Sequence, residues 1–246
     1  MATSSKIAFF APDKTILGDL TDWELQTGGN PELSRDRAQA LKSDGDELAS
    51  AQHNAKIQYS LTYKPKRYTG SDGLALPVPG SVLNGSHVDS VTVAYSQEDY
   101  PVLTVAAHRH AAIDGTPETH EACRIYTPAV TLPPRAIGIP STLKDSDGKT
   151  VFSLPAGVGI SSLTYSLTVT HNDVPDGDGN HLAGENRDGV EKLDVSFTGE
   201  VYVADLSIDS AWSLPDSWSM SQSNQDATTT SLSIQRHIAY TPATGS

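Results

Sequence analysis

Residues 162–203 read SLTYSLTVT (162–170), HNDVPDGDGNHLAGENRDGVEK (171–192) and LDVSFTGEVYV (193–203). Apolar residues alternate at Leu163, Tyr165, Leu167 and Val169, and again at Leu193, Val195, Phe197, Val201 and Val203. Period-2 alternation of this length predicts two strands with one buried face each. Between them lies a polar excursion rich in Gly and Asp. Hairpin loops are usually two to five residues long, so a connection of this size is normally functional or disordered. The reading is a hairpin whose arm, over 171–190, reaches beyond its own domain.

Working outward, the rest of the chain has the same texture. Its 246 residues suffice for one large β domain or two small ones, and a hydrophobic content of 37% suits short strands joined by many turns. The formal net charge of −13 argues against nucleic-acid binding driven by phosphate neutralisation. Acidity instead serves solubility, or repels a polyanion that must pass close by. Cys123 is the only cysteine, so no intrachain disulfide forms. The apolar run from Ile7 to Ala11 is too short for a signal-peptide core, and no stretch approaches membrane-helix length. These features predict a soluble chain made in the cytoplasm.

The expected fold class is all-β, an antiparallel sandwich or barrel with at most one or two short helices. Residues 1–40 are expected to form an N-terminal arm, opening with a short strand KIAFFA. The segment PELSRDRAQALKSDGDELAS (31–50) carries the one helix signal, because Leu33, Arg37, Ala40 and Leu41 share a helical face and Asp44-Gly45 supplies a stop. A first β repeat is expected over 41–135, with strands at 57–63, 87–96, 101–110 and 122–132. The second is expected over 136–246, with strands at 150–154, in the hairpin above and at 231–238.

The two halves echo each other. Tyr59-Ser60-Leu61-Thr62 recurs as Tyr165-Ser166-Leu167-Thr168, and three further segments correspond in the same order. A tandem duplication predicts one long loop after the first main strand of each copy, at 64–86 and 171–190. The first carries Lys64, Lys66 and Arg67; the second carries Asp173, Asp176, Asp178, Glu185 and Asp188 around Arg187. A basic arm and an acidic arm of like origin are suited to meet head to tail during self-assembly.

Chemical motifs are few. Asp176-Gly177-Asp178-Gly179-Asn180 suggests a calcium loop, but His181 and Arg187 stand where the EF-hand pattern needs Gly and Glu. His108-Arg109-His110 with His120 and Cys123 offers zinc donors, yet the segment lacks a paired Cys or an H-E-x-x-H helix. Surface or interface histidines are the expected reading, with no metal and no cofactor. No G-x-S-x-G elbow and no Walker-type G-x-x-x-x-G-K-[ST] run is present, so the expected role is not enzymatic. Trp212 and Trp218 flank Pro215, a pair suited either to stacking sugars or to core and interface packing.

In its alternating strands, long-looped hairpin, acidic charge, lone cysteine and missing catalytic motif, the chain over roughly 40–240 resembles tail tube proteins of long-tailed bacteriophages and related contractile injection systems. That resemblance implies a virion structural subunit that closes its sheet against copies of itself. Trimeric or hexameric rings then stack through long loops around an acidic lumen that conducts DNA without binding it. It also implies contacts with other virion proteins and none with membrane, and places the family's small flanking helix at 31–42. Two other readings stay open: a phage head decoration or neck protein, and a carbohydrate-binding β-sandwich adhesin.

Overall fold

The computed structural model describes residues 16–28, 31–70, 72–111, 124–154, 157–178, 181–202, 206–212, 217–221 and 228–238. Within them the chain is all-β, and no helix is long and apolar enough to cross a membrane. The strands are β1 (Trp23–Gly28), β2 (Glu32–Leu41), β3 (Glu47–Pro65), β4 (Val82–Leu83), β5 (Ser86–Ser96), β6 (Val102–His110), β7 (Val130–Thr131), β8 (Thr142–Asp145), β9 (Thr150–Ser153), β10 (Gly159–Pro175), β11 (His181–Thr198), β12 (Ser207–Ile208), β13 (Ser217–Ser221) and β14 (Thr229–Ile238).

Ten of them form one antiparallel sheet ordered β1-β3-β6-β5-β10-β11-β14-β13, with β2 paired to β3 and β4 to β5. Among the described residues the sheet does not close on itself. A four-stranded sheet, β12-β9-β8-β7, lies against its apolar face. Alternation dictates that face: Leu163, Tyr165 and Leu167 of β10 and Leu193, Val195 and Phe197 of β11 are buried together with Leu143, Val151 and Phe152 of the small sheet. The Phe152 and Phe197 rings stack at 6.3 Å across the two layers. Tyr95 ties the layers further by donating its hydroxyl to the Pro133 carbonyl at 3.0 Å.

Several expectations are corrected. The helix at 31–42 is strand β2, paired from Glu32↔Gln58 to Leu41↔Glu47. The Asp44-Gly45 signal is a hairpin turn: Gly45 has φ 90°, and Lys42 N–H bonds the Asp46 carbonyl at 2.7 Å. Over 124–132 the only strand is β7, with Ile125 in an isolated bridge. The excursion 171–190 is mostly strand, because β10 runs on to Pro175 and β11 begins at His181.

Nor is 64–86 a projecting arm. Lys66 donates to Asp19 at 2.9 Å and Arg67 to Asp22 at 2.9 Å, while Leu74 N–H bonds the Leu132 carbonyl, so the segment lies along the body. The first arm is the β2–β3 hairpin instead. Both halves of the chain enter one sheet, but their strand orders differ. The segments read as equivalent run β3-β6-β5 in the first half and β10-β11-β14 in the second. The KIAFFA strand and the C-terminal tail lie outside the described residues.

Candidate functional site: a buried histidine–carboxylate cluster

Strands β5 and β10 pair from Ser96↔Ser162 to Ser90↔Thr168 and no further. At that level the β5–β6 ladder shifts register between Val88 and Ser90, and the β10–β11 ladder between Val169 and His171. Bulges bend a strand and re-aim its side chains. Here they turn the outer part of the β10–β11 hairpin across β5 and β6 until Asp173 forms an ion pair with Lys56 of β3. Strand β6 stays regular, so His108 and His110 share the face opposite Leu103, Val105 and Ala107. That second face would be solvated if the hairpin did not cover it. Both histidines are buried.

Three imidazoles converge on one carboxylate oxygen. Asp173 Oδ1 lies 2.7 Å from His171 Nε2, 3.4 Å from His110 Nε2 and 3.6 Å from His181 Nδ1. The His110 and His181 rings stack at 3.4 Å between centroids. One donor atom each from His108, His110, His171 and Asp173 lies within 4.8 Å of the other three.

A second layer orients these rings. Asp89 Oδ1 meets His108 Nδ1 at 2.7 Å and His87 Nδ1 at 3.1 Å. Asn186 donates its amide to the Arg124 carbonyl at 2.7 Å and contacts His87 Nε2 at 3.2 Å, so its oxygen is the acceptor for His171 Nδ1–H at 2.7 Å. Two glycines make room. A Cβ on Gly184 would sit 2.7 Å from His171 Nε2, and one on Gly80 would sit 2.1 Å from the Arg124 carbonyl oxygen and 2.7 Å from Asn186 Nδ2.

Charge in the cluster is finely divided. Burial pushes His87 and His181 toward the neutral form. Burial also opposes the His171 cation, but its bonds to Asp173 and Asn186 outweigh that and raise its pKa. Desolvation works against ionised Asp89, yet His108 and His87 hold it down to about 2. Asp173 is likewise held well below the usual carboxylate range by His171 and Lys56, against its burial.

Of the residues expected on assembly arms, Asp173 is part of this cluster, with its side chain 2% exposed. Asp176 and Asp178 sit in the hairpin turn, where Asp178 N–H bonds Asp176 Oδ1 at 2.9 Å. Glu185 pairs with Arg124 at 2.8 Å and with Arg187 at 3.8 Å, while Asp188 is exposed. Lys64 pairs with Asp99 at 3.3 Å; together with the Lys66 and Arg67 contacts described above, the three basic residues all bind carboxylates of their own chain. Trp212 is core, with Arg236 over its ring at 5.0 Å, and Trp218 is exposed on β13. His120 and Cys123 lie outside the described residues.

Sequence reasoning singled out His108 and His110 but expected them at the surface or an interface, whereas the β10–β11 hairpin buries both, and it missed His87, Asp89, His171, His181 and Asn186 as their companions. A signal existed: five of the chain's eight histidines belong to this cluster. No protein-family model and no curated protein sequence matches the chain.

Proposed function

We propose that the chain is a non-enzymatic virion structural subunit that assembles with copies of itself, of the kind found in bacteriophage tail tubes. The observation that carries this reading is the β2–β3 hairpin, whose residues 35–50 are exposed on both faces. Leu41 and Leu48 on it are 61% and 65% exposed. A two-stranded ribbon is marginally stable alone in water, and exposed apolar side chains on it gain only from a partner.

The partner is a second copy, because the main sheet is open and its terminal strands differ. One end is β1 and β2 on β3, the other is the five-residue β13. Pairing unlike edges head to tail generates a ring, which covers both edges at once. The net charge of −13 suits a conduit that DNA passes without adhering. The β10–β11 tip, with Val174 and Leu182 more than half exposed, is placed to touch an adjacent ring.

Electron microscopy and sedimentation of the purified protein, with and without a preformed seed, test this. Rings or tubes are expected. Leu41→Lys with Leu48→Lys should abolish them while leaving the circular dichroism spectrum unchanged. A monomer at every concentration with no seeded growth overturns the reading, and a flat lattice without stacking points to a decoration protein instead.

A further inference from the structure

We propose that His108, His110, His171 and Asp173 form a closed binding site for one divalent first-row transition ion of the zinc class, which fastens the β10–β11 hairpin across the main sheet. The donor set decides the class of ion. Three imidazole nitrogens with one carboxylate suit zinc and its neighbours, whereas calcium and magnesium take oxygen ligands almost exclusively.

The dimensions of the cluster approach those of a filled site. Donor atoms around a tetrahedral zinc stand about 3.3 Å apart, given bonds of about 2.0–2.1 Å. The His110–Asp173 separation of 3.4 Å already meets this, and the whole quartet lies within 4.8 Å. Small side-chain rotations complete the site. Because Asn186 accepts from His171 Nδ1–H, a neutral His171 directs its lone pair from Nε2 at Asp173 Oδ1, 2.7 Å away. Two lone pairs so close repel, so a proton lies between them until an ion replaces it and the pair opens from 2.7 Å to about 3.3 Å. His110 and His181 bring further nitrogens to the same oxygen, which cannot accept a proton from each.

Outer contacts match those that tune metal ligands. Ligating histidines usually donate their other ring nitrogen to a carboxylate or carbonyl, which fixes tautomer and orientation. Asp89 takes that role for His108 and Asn186 for His171. Lys56 holds the second oxygen of Asp173, leaving Oδ1 as a monodentate ligand. Side-chain exposures of 4%, 0%, 6% and 2% for His108, His110, His171 and Asp173 describe a closed site, as structural rather than catalytic metal sites are. The ligands come from β6 and β10, strands that are not adjacent in the sheet, so the ion joins elements the backbone ladder leaves apart.

The site lies within one chain, and its test is therefore independent of assembly. Full-length protein stripped with a chelator is titrated with Zn²⁺ by calorimetry, and the loaded protein is studied by zinc X-ray absorption. One ion per chain, a raised melting midpoint, and a shell of three imidazoles with one carboxylate oxygen are expected. Asp173→Asn and His110→Ala should each weaken binding at least tenfold and cancel the rise in midpoint. Should a variant not fold, the absorption spectrum of the unaltered protein still decides. Absence of stoichiometric binding, a shell with fewer than two imidazoles, or undiminished binding by a folded Asp173→Asn variant overturns the proposal. The first outcome leaves a proton between His171 and Asp173, and the others place the ion elsewhere.

Discussion

The carboxylates of Glu191 and Asp173 are both buried in the main sheet, and their surroundings are opposites. Glu191 of β11 is fully buried and meets Arg236, its cross-strand neighbour on β14, together with the Tyr165 hydroxyl at 2.6 Å and the Ala129 N–H at 2.8 Å. Each partner is a fixed donor. Arginine does not deprotonate in proteins, and burial beside Glu191 pushes the Tyr165 phenol far above its ordinary pKa. Asp173 instead meets three imidazoles and one lysine. Imidazoles exchange protons near neutral pH and accept metals as readily as they donate. The first carboxylate is locked into an architecture; the second is held among groups that can be reassigned to a ligand.

That contrast predicts unequal penalties. Glu191→Gln strands a guanidinium that cannot shed its charge, so it should cost about 3–5 kcal/mol, as broken buried ion pairs do. Asp173→Asn, measured on chelator-stripped protein, should cost nearer 1 kcal/mol, because the surrounding imidazoles can turn neutral and the partly exposed Lys56 ammonium can turn to solvent. Urea unfolding of both variants checks this. Equal penalties would mean that the fold depends on Asp173 just as heavily as on Glu191.

A smaller effect is expected at a third carboxylate, Asp22, which is partly buried outside the cluster. The hydrogen bond from Arg67, joined by that from the Ala75 N–H, depresses the pKa of Asp22 against the desolvation of its partial burial. An acid with a depressed folded pKa contributes stability above its unfolded value, about 3.9, and loses it as pH falls through the folded value. The melting-point gap between the unaltered protein and Asp22→Asn should therefore hold from pH 7 to about 5 and shrink below about 4. A gap that widens on acidification would contradict the assignment.

The legible part of the fold was the part with apolar alternation. Leu163 to Val169 and Leu193 to Phe197 named their strands and their buried face without help. Past Val169 the same alternation continues through His171, Asp173 and Pro175, but in polar letters, because that stretch faces the histidines of β6 instead of the core. A hydrophobic pattern goes silent there although the strand does not. Strand β2 failed for a related reason. It is exposed on both faces, so nothing imposed a period of two, and Leu33, Arg37 and Leu41 matched a helical face by coincidence. The cluster draws on β3, β5, β6, β10 and β11, and no spacing along the chain announces such a meeting.

The crossing of β10–β11 over the sheet also orders events in time. Lys56 and Asp173 belong to opposite halves of the chain, so their contact closes one of its long loops, an entropic cost that comes before any reward. The platform that receives the hairpin, β3-β6-β5, is built wholly from the first half and contains shorter closures. Docking should therefore be the late step of folding. In pulse-labelling hydrogen exchange, amides of β5 and β6 should gain protection before the docked surface around Asp173 and Lys56 is buried. A newly made chain would then pass through a stage with its sheet formed and its hairpin still swinging, and a captured ion would mark the end of that stage.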